Sequence, residues 1–204
     1  MESTSDAGTI TVVPASKASW ADLAAIFGER GDPSWCLCQW FKIRHKDWNS
    51  VPIREKAARL REQTRCGLPR SATTTGLVGY LDSEPAGWSA IEPRAGLVRL
   101  RTSRVVWAGR DEDPDDDGVW AVTCFVTRIG YRRRGIGGAL AKAGVDFARE
   151  RGARSVEGYP MVPAVARGPS AATLYVGTVD MFEQAGYREV SRPLPQRAVM
   201  RIDF

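Results

Sequence analysis

Trp120-Ala121-Val122-Thr123-Cys124-Phe125-Val126, running on into Thr127-Arg128-Ile129-Gly130-Tyr131-Arg132-Arg133-Arg134-Gly135-Ile136-Gly137-Gly138-Ala139-Leu140, is the stretch whose reading decides the fold. Its first seven residues form a continuous apolar run, the pattern of a strand buried on both faces. A basic, glycine-bearing turn follows. Beyond it, Ile136, Leu140, Ala143, Phe147 and Ala148 recur at helical spacing, with Lys142, Asp146, Arg149 and Glu150 facing outwards. An amphipathic helix closed by Gly152 is predicted there. Strand, turn and helix in this order make an anion-binding device. The first amides of a helix lack intrahelical acceptors, and the aligned peptide dipoles add partial positive charge. Gly135 and Gly137 remove Cβ atoms where phosphates would approach the backbone, and Arg132, Arg133 and Arg134 supply charge to neutralise them.

Two familiar phosphate motifs fit poorly. A P-loop needs Lys-Ser/Thr after its last glycine, whereas Gly138 is followed by Ala139 and Leu140; the dinucleotide fingerprint needs a glycine where Leu140 stands. The segment instead resembles the acetyl-CoA signature of the GNAT N-acetyltransferase superfamily, Arg/Gln-x-x-Gly-x-Gly/Ala, matched by Arg132, Gly135 and Gly137. Met181-Phe182-Glu183-Gln184-Ala185-Gly186-Tyr187 is similar to that family's closing helix and aromatic turn, so the resemblance spans residues 119–190. It implies an α/β (α+β) fold with one mixed, mostly antiparallel, twisted sheet, splayed at the CoA site and flanked by helices. It also implies acetyl-CoA as the acyl donor and no metal. The backbone of Phe125 and Val126 would bond the pantetheine arm. The amides of Arg133, Arg134, Gly135, Ile136, Gly137, Gly138 and Ala139 would cradle the pyrophosphate.

The rest of the chain agrees in element order. Residues 9–13 alternate as a first strand, and Ser19 with Asp22 forms a capping box for a helix over residues 20–29. Ser50 and Pro52 open a second helix, with Ile53, Ala57, Leu60 and Thr64 on one face. Residues 76–81 and 86–91 read as a hairpin across Asp82-Ser83-Glu84-Pro85. The stretch 94–109 fits neither period, and the acidic run 111–117 reads as a solvated loop. Residues 155–159 are a strand, 174–185 a helix ended by Gly186, and 188–191 with 198–202 a terminal strand pair. Residues 1–8 are expected to be a flexible start, and 9–204 one acyl-CoA N-acyltransferase domain.

Composition narrows the partners. The 29 basic and 24 acidic residues leave +5, a mild surplus that suits anionic ligands. No long basic run or base-reading motif points to nucleic acid. No apolar run of bilayer length and no signal-peptide pattern occurs, so a cytoplasmic, non-membrane protein is expected. Cys36, Cys38, Cys66 and Cys124 are read as reduced thiols, and Cys-x-Cys with His45 does not match zinc spacing. The family resemblance also allows a homodimer.

Acyl transfer to an amine needs a deprotonated amine, a polarised thioester and a proton for the leaving sulfur. The family often supplies that proton from a tyrosine four residues before the closing glycine; that position here is Phe182. Tyr175, seven residues earlier on the predicted helix, is the substitute. Glu157, a carboxylate in an apolar strand, is the candidate base or amine-binding group, with a structural ion pair as the competing reading. Trp35, Trp40, Phe41 and Trp48, between the first two helices, suit an apolar or cationic acceptor, and Trp88 is placed facing the same space. The reaction expected is acetyl transfer to a primary amine of a small molecule. A protein or peptide amine as acceptor, and a CoA-binding module without transfer activity, stay open.

Overall fold

A computed structural model describes residues 8–162 and 175–204. The strands are β1 (Ile10–Pro14), β2 (Leu77–Leu81), β3 (Glu84–Pro93), β4 (Val119–Thr127), β5 (Ser155–Gly158), β6 (Arg188–Leu194) and β7 (Arg197–Asp203). They form one seven-stranded sheet in the order β1-β2-β3-β4-β5-β7-β6. Only β4 and β5 pair in parallel, because the helix α5 (Ile136–Arg149) crosses over between them. The remaining pairs are antiparallel. The expected mixed, mostly antiparallel sheet is therefore present.

The capping box at Ser19 and Asp22 starts α1 (Trp20–Phe27), which presents Leu23, Ile26 and Phe27 to the sheet and ends at Gly28, earlier than the predicted residue 29. The short α2 (Asp32–Cys36) follows, then α3 (Ile53–Thr64), which buries Leu60 and Thr64 but leaves Ile53 exposed. These helices pack Leu23, Phe27 and Leu60 against Val78, Trp88, Ala90 and Val126 on one face of the sheet. On the other face, Ile136, Leu140 and Phe147 of α5 pack with Leu77, Ile91, Val122 and Phe125. The β2–β3 hairpin turns at Asp82 and Ser83, with φ of 50° and 72°, the two-residue turn that matches strand twist. Residues 94–109, ambiguous by periodicity, hold a 3-10 turn and the four-residue α4 (Val98–Arg101).

The helix predicted over 174–185 begins only at Val179. It is α6 (Val179–Gln184), with the Thr178 hydroxyl capping the Met181 amide at 3.4 Å. Tyr175 thus lies in the turn before the helix and not on its face. Residue 174, residues 1–7 and the rest of 163–173 lie outside the described residues. Among the described residues no helix is long and apolar enough to cross a membrane.

Candidate active site

The sheet opens between β4 and β5. Their ladder runs from Val119↔Ser155 to Val122↔Gly158, whereas β4 continues to Thr127 paired only with β3. Past Gly158 comes Pro160, which has no N–H to extend a ladder. The amide of Phe125 faces this opening and donates to the carbonyl of Tyr175 at 2.6 Å. Strand alternation turns its neighbour Val126 the other way, towards Trp88 of β3, and the next amide but one, Arg128, duly bonds Ala86 O at 2.9 Å. Of the two expected pantetheine contacts, then, only Phe125 presents its amide to the gap.

The basic turn lies at the end of β4. Arg133 and Gly135 have φ of 60° and 81°, and Gly135 is the N-cap of α5 without a side-chain cap. Such angles turn successive amides towards one side. After Tyr131 N→Arg128 O, the next backbone donor in a hydrogen bond is Ala139, which bonds Gly135 O at 3.0 Å. Residues 132–138 therefore carry amides with no backbone acceptor among the described residues. Arg132, Arg133 and Arg134 are exposed and make no ion pair there. The two later glycines differ in surroundings. A Cβ on Gly137 would meet Met181 Sδ at 3.1 Å, while one on Gly138 would meet nothing within 4 Å. Gly137 serves helix packing as well as open space.

On the opposite face of β4 lies a cavity of about 780 Å³. Trp35, Trp40, Phe41, Val105 and Val106 give it an apolar wall, and Thr123 and Cys124 line it from β4. Trp35 and Trp40 are each 39 % exposed. Trp88, expected on the same wall, is 1 % exposed and packs at a tilt of 51° on Phe27 while its indole N–H donates to Cys38 Sγ at 3.1 Å. It supports the wall from behind. The tryptophans already hold the chain's own cations: Lys56 Nζ lies 3.6 Å from the Trp48 ring and Arg99 Cζ 3.6 Å from the Trp40 ring.

Glu157 is fully buried and does not line the cavity. Its carboxylate accepts from Arg110 Nη2 at 2.5 Å, Arg94 Nη1 at 3.2 Å, Arg201 Nη1 at 3.3 Å and the Tyr159 hydroxyl at 2.7 Å. The expected base is thus the hub of a buried ion network. The acidic loop joins it, since Arg94 Nη2 also donates to Asp113 O and Arg110 to Glu112.

Two tyrosines line the cavity. The Tyr159 hydroxyl is committed to Glu157, whereas that of Tyr175 has no hydrogen bond among the described residues. Burial raises the Tyr175 phenol above its ordinary value; Asp32 adds to this and Arg132 opposes it. Asp32, which the sequence reading passed over, is the only carboxylate lining the cavity among the described residues. It opens α2 beside Pro33, and only the fold brings it near Tyr175. Burial pushes the Cys36 thiol up to about 11, and burial with Cys124 nearby pushes Cys38 up as well. All four cysteines are free.

A family model, the acetyltransferase (GNAT) family, matches residues 37–163, more than half of the 204 residues. The chain belongs to the GNAT acetyltransferase family. Solved structures of similar fold include aminoglycoside acetyltransferase AAC(6')-Ib in complex with coenzyme A (17% identity, TM-score 0.50, covering 96% of this chain and 95% of that one). An N-acetyltransferase from Staphylococcus aureus Mu50 is 11% identical with TM-score 0.53 over 96% of this chain and 98% of its own. The protein yncA from Salmonella typhimurium, solved with its cofactor acetyl-CoA, is 14% identical with TM-score 0.53 over 95% and 93%. These identities show the fold alone. No curated protein sequence matches the chain significantly.

Within this GNAT chain, Phe182 has a packing reason. Its ring is fully buried, 5.8 Å from Phe125 and 4.9 Å from Tyr187, and its tip rests on Gly158, where an added Cβ would lie 2.3 Å from Cζ. The ring is thus enclosed between Phe125, Tyr187 and the glycine of β5.

Proposed function

We propose that the chain transfers an acetyl group from acetyl-CoA to a primary amine of a small molecule, by direct attack in a ternary complex. One observation carries this reading: β4 serves both halves of the site. Its Cys124 lines the cavity, its Phe125 amide faces the opening, and its end runs into the free amides of residues 132–138. A cavity of about 780 Å³ with an apolar wall suits a small acceptor.

The arginine-flanked amides fit the pyrophosphate of a CoA, since three exposed cations adjoin a helix N-terminus whose amides have no backbone acceptor among the described residues. Phe125 N–H is the strand donor for the pantetheine arm, in exchange for its bond to Tyr175. When bound, the thioester supplies the activated acetyl group. The chain's own residues then hold the apolar part of the acceptor against Trp40 and Phe41 and exclude water around it. Asp32 takes a proton from the ammonium form, the neutral amine forms the C–N bond as the C–S bond breaks, and the protonated Tyr175 hydroxyl donates to the leaving sulfur and is reprotonated from the new amide nitrogen. A covalent route through Cys36 or Cys38 is disfavoured because both hold their protons tightly.

The test is thiol release from acetyl-CoA across a panel of amines, with CoA affinity measured in parallel. Amine-dependent release is expected. Tight CoA binding with no release for any amine would sink the enzyme reading and leave a CoA-binding module.

A further inference from the structure

The charges on the cavity wall are the reverse of what a polycationic acceptor needs. Two arginines, Arg99 and Arg197, line it, against the single carboxylate of Asp32. Neither arginine is paired with an acid among the described residues. Residues 163–174, outside the described set, contain no Asp or Glu.

Arg99 is fixed in place. Its Nε donates to Ile43 O at 2.8 Å and its guanidinium plane stacks on Trp40. Nη2 is enclosed by protein with no hydrogen-bond partner among the described residues, so it is the rest of the Arg99 side chain that lines the cavity. A desolvated guanidinium that meets no anion is unfavourable, and an anionic ligand relieves it. Arg197 begins β7 beside the cavity, with no side-chain hydrogen bond among the described residues. Burial alone lowers its pKa, and no acid counters that. Arg99 is also lowered by burial. The cation–π faces that would attract an amine are meanwhile covered by Lys56 and Arg99 themselves.

We propose that the acceptor is an apolar amine that also bears a carboxylate, of the aromatic amino-acid type, with its anionic group held by Arg99 and Arg197. This rests on the acetyl-transfer reading and names the substrate class of the same cavity. The amine sits at the Asp32 and Tyr175 side, the ring lies against Trp40 and Phe41, and the carboxylate meets the two guanidiniums. Aminoglycosides and polyamines would instead bring several cations to a wall with two unpaired arginines.

The experiment separates this from the reaction itself by using binding. N-acetyl-tryptophan and N-acetyltryptamine, which differ only by the carboxylate, are titrated into the CoA-saturated protein by calorimetry. The carboxylate compound is expected to bind about tenfold or more tightly, the effect of one charge-assisted contact. R197Q, at the half-buried start of β7, should shrink that ratio towards one, and R99K should keep part of it through its retained charge. Equal affinity for the two compounds, or tighter binding of N-acetyltryptamine, overturns the proposal, as does an unchanged ratio in both variants. A separate thiol-release assay with tryptophan, tryptamine, spermidine and kanamycin reports on acetyl transfer. Silence there with a preserved binding ratio would remove the reaction and keep the carboxylate site.

Discussion

The Phe125 amide and the Tyr175 carbonyl are joined by a 2.6 Å hydrogen bond across the mouth of the opened sheet. This bond ties the turn before α6 to the strand that carries both halves of the site. It also holds Tyr175 at the cavity, where its hydroxyl has no hydrogen bond among the described residues.

Because that bond is made by backbone atoms, Tyr175→Phe leaves it intact and removes only the hydroxyl. Turnover should fall about a hundredfold, the usual contribution of a positioned general acid. CoA affinity should stay unchanged. Steady-state kinetics beside equilibrium CoA titration check both numbers, and an unaffected kcat would leave Tyr175 as a wall residue.

The three glycines of the turn should respond differently. Gly135→Val forces a β-branched residue to φ of 81°, which costs about 1–3 kcal/mol and tilts the free amides away from one another. CoA affinity should drop about tenfold or more. Gly137→Val meets Met181 Sδ and should disturb helix packing first. Gly138→Ala has open space, so a fall in CoA affinity without loss of Tm would mark that space as ligand-filled.

Glu157→Ala should be severe for stability and not for chemistry alone. It leaves Arg94 and Arg110, both nearly or fully buried, without their shared anion. A loss of about 3–5 kcal/mol is expected from breaking a buried pair on one side. Urea unfolding measures it. A stable variant with lost turnover would return Glu157 to the list of catalytic groups.

The cavity thiols predict a pH dependence. The folded chain holds the Cys36 proton more tightly than the unfolded chain, with the pKa raised from 9.0 to about 11. This group therefore favours folding below pH 9.0, and its support is lost as pH rises from 9.0 towards about 11. Alkylation of Cys36 by iodoacetamide should be slow at pH 8 in the folded chain and fast in urea. Rapid labelling of the native protein would contradict a buried, protonated thiol.

Local pattern made much of this architecture legible. The apolar run of β4, the glycine-bearing turn and the 3.6-residue period of α5 are contiguous in sequence, and contiguous signals survive folding. The capping box at Ser19 and the Asp82-Ser83 turn are equally local. What could not be read is what tertiary pairing decides. Glu157 looks like a pocket carboxylate until Arg94, Arg110 and Arg201 arrive from three other segments. Trp88 has the periodicity of a wall residue, yet Cys38, fifty positions away, takes its indole. Asp32 carries no signal of its own beside Pro33 and gains meaning only when Tyr175 approaches. The helix start at Thr178 was hidden because Leu174, Tyr175 and Val176 extend its apolar pattern upstream.

The first turn of α5 sits so close to β3 that a Cβ on Gly87 would come within 2.4 Å of Ile136 Cγ2. That seat anchors the start of the helix to the rigid centre of the sheet. On the proposed function, the amides of residues 132–138 are then set in place by folding before the donor arrives. Capture of the donor is then limited by encounter, hastened by the field of three exposed arginines and slowed by added salt.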